Sequence, residues 1–180
     1  MKRLSTRTVY TNDWLSVRED VVVHADGSTG VFGVVDKQDF SLIVPRRDNG
    51  YFLVEQYRYP ASGRFWEFPQ GSPPSAAAAG GSPLAVATAE LLEETGLSAG
   101  SMEHLGTVHE AYGYATTRAH IYLATDLSFG SPDREATEFD MRCEWFSRDA
   151  LWDLIDRGDL TDAPSLAALA LVERADRRSN

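Results

Sequence analysis

The chain reads as an α+β sandwich, a mixed sheet covered by helices. Strand-like segments fill its first half, one helix with clear start and stop signals stands in the middle, and two stretches of helical spacing follow further strands near the end. The helices do not alternate with strands one for one, so a doubly wound parallel sheet is not expected.

The first strand pattern runs from Leu15 to His24, rich in valine, and stops at Asp26-Gly27 before Val31 to Val35 resumes it, which predicts a hairpin. A second hairpin joins Ser41–Val44 to Tyr51–Gln56. Its turn, Arg46-Arg47-Asp48-Asn49-Gly50, ends in residues that tolerate positive φ. Between Gly71 and Pro83 lie Ser-Pro-Pro-Ser, four alanines, Gly-Gly and Ser-Pro, which lack the side chains for a core and predict a flexible surface loop. Ser82 is placed to cap a helix, Pro83 suits its first position and Gly96 its end, so a helix is expected over Pro83–Thr95. Glu103–Glu110, His120–Thr125 and Arg142–Phe146 then read as strands, and Asp149–Asp156 and Ser165–Arg174 as helices.

At 180 residues the chain matches one domain by a prior of about 150 residues per domain. Its 43% hydrophobic and 24% charged residues suit a globular core. The net charge of −10 argues against non-specific affinity for nucleic acid or anionic lipid, so a polyanionic partner needs a local basic group or a metal ion. A single cysteine, Cys143, excludes an internal disulfide framework and fits a reducing compartment. No stretch approaches the ~18 apolar residues of a membrane span, and a cytoplasmic protein is expected.

The central helix carries Glu90-Leu91-Leu92-Glu93-Glu94-Thr95-Gly96-Leu97. At about 100° per residue its three glutamates fall within one arc, while Leu84, Ala87 and Leu91 are expected to face the core. No Lys or Arg occurs from Pro83 to Thr95 to offset their repulsion. Hard oxygen ligands on one rigid face suit Mg²⁺ or Mn²⁺; a solvated acidic face is the other reading of Glu-x-x-Glu-Glu.

Context favours the first. Trp66-Glu67-Phe68-Pro69-Gln70-Gly71, the loop and the helix together resemble the Nudix box, whose second half matches at Glu90, Leu91, Glu93, Glu94, Gly96 and Leu97. The first half departs from it. Ala89 and Gly81 stand at the positions of an Arg and a Glu, and 18 residues separate Gly71 from Glu90 where the pattern has 14. The missing pair braces loop against helix in the family; losing both leaves no orphan charge. Val54-Glu55-Gln56-Tyr57-Arg58-Tyr59-Pro60, Ile121–Leu127 and Glu144-Trp145-Phe146 extend the likeness to the ADP-ribose pyrophosphatase branch.

The resemblance implies an α/β/α sandwich of the Nudix type over 41–180, preceded by an N-terminal strand segment, 1–40, that pairs two copies into a homodimer. It implies Glu90, Glu93, Glu94 and the Gln70 carbonyl as metal ligands, Arg58 at the substrate's phosphates, and hydrolysis of a diphosphate bond in a nucleoside diphosphate-linked small molecule, ADP-ribose first. Thr117 stands where the branch carries a water-activating Glu, which leaves Glu93 or Glu94, or a residue of the acidic segment 133–140 such as Glu135 or Glu138, with Glu138 also a substrate contact. The same departures allow a binding module that holds a nucleotide sugar without cutting it, and an interaction domain with a merely solvated acidic helix is a third reading. One or two of Trp14, Tyr57, Tyr59, Trp66, Tyr112 and Tyr114 are expected to stack on a base.

Overall fold

The computed structural model describes residues 1–73, 81–131 and 140–179. The chain divides into two compact units, residues 1–39 with 109–118, and residues 40–108 with 119 onward.

The first unit is built on an antiparallel sheet in the order β1 (Lys2–Thr11), β2 (Leu15–Val23), β3 (Thr29–Lys37). The expected hairpin is there. β2 and β3 pair from Leu15 opposite Lys37 to Val23 opposite Thr29, and Gly27 takes the turn at φ 85°, a conformation that costs glycine nothing. β1 is a strand that the sequence did not announce. Its mix of Lys, Arg, Ser and Thr lacks apolar alternation, and the ladder to β2, from Lys2 opposite Val23 to Thr11 opposite Ser16, is what makes it a strand. Residues 109–118 return beside β3, with the Val35 N–H donating to the Tyr114 carbonyl at 2.8 Å and the Thr116 N–H to the Val35 carbonyl at 3.0 Å.

The second unit holds a mixed sheet in the order β10-β5-β4-β9-β8, made of β4 (Phe40–Arg47), β5 (Gly50–Arg58), β8 (Leu97–His109), β9 (Arg118–Phe129) and β10 (Arg142–Ser147). β4 runs parallel to β9 and antiparallel to β5. Successive side chains of a strand face opposite ways, and the buried ones sort accordingly. Leu42, Val44, Leu53, Ile121 and Leu123 pack with Leu151, Leu154, Ala168 and Val172 of α2 (Arg148–Arg157) and α3 (Ala163–Ser179). Ile43, Phe52, Tyr122 and Ala124 pack with Ala87 and Leu91 of α1 (Pro83–Thr95) on the opposite face. This is the expected α/β/α sandwich.

β4 and β5 pair only at Arg46–Tyr51 and Arg47–Gly50, next to their turn. Beyond it they part: β5 pairs with β6 (Gly63–Glu67) and β4 with the short β7 (Gln70–Gly71). The segment from Glu67 to Gly71 therefore crosses from one strand to the other.

Helix α1 begins and ends as predicted. The Ser82 hydroxyl accepts from the Ala85 N–H at 3.2 Å, and Gly96 closes the last turn at φ 73°. Ser41 Oγ donates to the Pro83 carbonyl at 2.7 Å, tying the first turn to β4. One expectation fails: Leu84 is 43% exposed, and the buried face is Ala87, Leu91 and Glu94, so the helix is rotated to put a carboxylate inside. The Ala-rich segment falls largely outside the described residues, as do Glu135 and Glu138. Among the described residues no helix is long and apolar enough to cross a membrane.

Candidate active site

Five residues singled out from the sequence lie in the second unit, and the strand crossing at Glu67–Gly71 organises four of them. Gln70 starts β7, and its backbone N–H donates to Glu94 Oε2 at 3.1 Å. Glu94 is 1% exposed; a carboxylate so deep needs donors, and this N–H is one. Gly71 follows. A Cβ there would collide with the Glu90 carboxylate, so the absence of a side chain is what lets Glu90 lie against the strand. Glu93, between them on the helix, is half-buried, and its side chain makes no hydrogen bond among the described residues.

Arg58 ends β5. Its Nε donates to Glu67 Oε2 at 3.1 Å, and its Nη2 to Glu67 Oε1. That oxygen also accepts from Gln56 Nε2 at 2.7 Å. The pairing follows from register: Val54 stands opposite Glu67, and Gln56 and Arg58 share the Val54 face. Burial lifts the Glu67 carboxyl above its ordinary range, although Arg58 pulls the other way. Burial likewise pulls the Arg58 guanidinium down, but Glu67, then Glu94 and Asp162, hold it above its usual value. Arg58 Nη1 has no bond among the described residues, which leaves an edge of a fixed guanidinium for an anion.

The sequence reading missed Glu67, Gln56 and Asp162. A glutamate set between Trp66 and Phe68 in a strand pattern was the available sign of a buried charge. Asp162, with Pro164 two residues on, was a cap signal, and helix α3 indeed starts right after it. Among the aromatic candidates Trp66 is taken up in packing, edge-on to Phe146 at 4.7 Å, while Trp14, Tyr57, Tyr59, Tyr112 and Tyr114 are exposed. Thr117, in the first unit, is buried, and its Oγ1 has no partner among the described residues.

The model of the nucleoside diphosphate sugar hydrolase N-terminal domain matches residues 1–35, and the NUDIX domain model matches residues 37–169. The chain belongs to the Nudix family. Among Nudix relatives, an ADP-ribose pyrophosphatase of Mycobacterium tuberculosis (strain ATCC 25618 / H37Rv) is 30% identical over 94% of this chain and 81% of its own length. A methanol dehydrogenase activator of Bacillus methanolicus is 29% identical over 71% of this chain and 67% of its own. A crystal structure of an ADP compounds hydrolase shares the fold at a TM-score of 0.85 and 22% identity, covering 100% of this chain and 97% of that one.

The protein is thus a Nudix hydrolase, and Nudix hydrolases generally use divalent metal cations. Among the described residues no three His, Cys, Asp or Glu side chains are gathered as a metal cluster. The oxygen donors of Glu90, Glu93, Glu94 and Gln70 nevertheless fit a hard divalent cation in kind. The side-chain-free surface at Gly71 gives one of those carboxylates a seat beside Gln70.

Proposed function

We propose that this Nudix hydrolase cleaves the diphosphate bond of nucleoside diphosphate-linked small molecules in a metal-dependent reaction, with ADP-ribose the first substrate. Water adds to one phosphorus, the bridging P–O bond breaks, and AMP and ribose 5-phosphate leave. The observation that carries this reading is the meeting of Glu90 and Glu94 with Gly71 and Gln70, within the electrostatic reach of an anchored Arg58. The relative called ADP-ribose pyrophosphatase supports the substrate class.

Glu90, Glu93, Glu94 and the Gln70 carbonyl would hold the cation, Mg²⁺ or Mn²⁺, which when bound offsets phosphate charge and lowers the pKa of water. Arg58 binds and orients the diphosphate through the guanidinium edge that Glu67 leaves open. Glu94 is committed to the Gln70 N–H, so Glu93 is the better placed of the two to accept the proton of the attacking water.

Phosphorus NMR with Mg²⁺ or Mn²⁺ and a panel of ADP-ribose, other nucleoside diphosphate sugars and nucleoside triphosphates tests the reading. Loss of the ADP-ribose diphosphate signal with growth of monophosphate signals is expected, and Glu94→Gln should abolish it while the protein stays folded. An active Glu94→Gln variant overturns the metal assignment. Tight nucleotide-sugar binding without turnover in any metal favours the binding module that Gly81, Ala89 and Thr117 suggest.

The hydrolase unit we propose spans 1–180 and pairs with a second copy through its N-terminal strands. β1 supports this: all ten of its residues are exposed, including Leu4, Val9 and Tyr10, and among the described residues one of its edges has no neighbouring strand. A monomer mass by light scattering rejects it.

A further inference from the structure

The segment that carries Gln70 is held from a direction the box motif does not include. Asp162 caps α3: its Oδ2 accepts from the Ser165 N–H at 2.9 Å and its carbonyl from the Leu166 N–H at 3.0 Å. The same Oδ2 accepts from Gln70 Nε2 at 3.3 Å. The side chain of that same Ser165, fully buried, accepts through Oγ from the Phe68 N–H at 3.0 Å. The first turn of α3 thus grips the crossing at residues 68 and 70, and β4 grips it between them, the Ile43 N–H donating to the Pro69 carbonyl at 2.9 Å. Gly81, ahead of α1, and Ala89, within it, have no charge with which to hold it.

We propose that Asp162 is a positioning residue of the site: by holding the Gln70 side chain while Glu94 holds the Gln70 N–H, it fixes the direction of the Gln70 carbonyl. With both its N–H and its side chain anchored, Gln70 cannot roll about the strand axis, so its carbonyl keeps one heading. Groups that orient metal ligands in this way usually matter about 10–100-fold in affinity or activity. The inference rests on the proposed role of that carbonyl as a cation ligand.

The competing explanation is that Asp162 only caps α3, and two substitutions separate the roles. Asp162→Ser keeps a good cap but is too short to reach Gln70. Gln70→Ala cuts the same contact from the other end, keeps the backbone carbonyl and leaves α3 untouched. Mn²⁺ binding to the full-length protein without substrate, read by electron paramagnetic resonance of free Mn²⁺, should weaken about tenfold in each variant. The double variant should weaken no further, and thermal unfolding of all three should stay within about 2 °C of wild type, since Ser and Asp cap comparably. With substrate, kcat should fall at low Mn²⁺ and recover as Mn²⁺ is raised, while KM holds.

Unchanged Mn²⁺ affinity in both variants, with wild type binding normally, overturns the positioning role and leaves the site reading intact. Additive losses accompanied by a lower unfolding temperature overturn it in favour of the cap alone. A wild-type protein that neither binds Mn²⁺ nor turns over substrate overturns the site reading and this inference with it.

Discussion

Two carboxylate–arginine groups sit on opposite faces of the same strand pair, β5 and β6, and they differ in what they leave over. On one face Glu55 is gripped by Arg64 Nε at 2.6 Å and by Arg142 through Nη2 and through Nε at 3.2 Å. Arg64 continues to Asp140. On the other, Glu67 has one arginine, Arg58, and the amide of Gln56. Burial pushes both carboxyls up. The two guanidiniums at Glu55 overcome that push and bring it below its ordinary value, while Glu67, with a single cation, stays above. The first group saturates a carboxylate and stitches β10, β5 and β6 together; the second fixes a cation in place without using it up. Similar residues thus make a scaffold on one side and, in the function proposed above, a phosphate-binding group on the other, and the two differ in the number of arginines per carboxylate.

The comparison predicts a separation of effects. Arg58→Ala should lower kcat/KM for ADP-ribose by about 100-fold or more, in keeping with the roughly 2–5 kcal/mol lost when one partner of a close charge pair is removed, whereas Glu55→Ala should leave it within about twofold. Steady-state kinetics on the two variants read this, and equal losses would erase the distinction. Next in size, Glu55→Ala should cost about 1–2 kcal/mol of stability, since its arginines are partly exposed and screened. For a chain of this length that is a fall in Tm of roughly 2–8 °C by calorimetry.

The smallest effect is in the pH dependence of stability, and its sign differs between the faces. Glu55 has its folded-state pKa depressed, so its contribution is present above the ordinary carboxylate pKa and is lost as pH falls through the depressed one. Glu67 has its folded-state pKa raised, so stability from this group is fully present below the ordinary value and is lost as pH rises through the raised one. Denaturant titrations across the acid range should show Glu55→Gln removing an upward slope and Glu67→Gln a downward one. Slopes of the same sign would mean that both groups are scaffold.

Where local chemistry is decisive, the sequence was enough. Ser82, Pro83 and Gly96 bound helix α1 without help from the rest of the chain, and both predicted hairpins turn at residues in the left-handed region, Gly27 and Asp48. Where pairing is decisive it was not: β1 has no apolar pattern of its own, and β7 is two residues long. The site divides the same way. Glu90, Glu93 and Glu94 announce themselves by helical spacing, but the burial of Glu94 depends on how α1 is rotated against the sheet. Glu67 and Asp162 act through partners 9 and 92 residues away, separations that no local pattern encodes.

The tie between Ser41 Oγ and the Pro83 carbonyl, together with the Ser82 cap, has a consequence for protein engineering. Both ends of the stretch between Gly71 and Ser82 are anchored independently of what joins them, Gly71 by β4 and under Glu90, Ser82 by its own helix. Doubling the length of such a connection costs only about 0.6 kcal/mol in closure entropy. The four residues that the sequence carries there beyond the family spacing thus fall between two ends fixed by their own contacts, and changing their number should leave the carboxylates of α1 where they are.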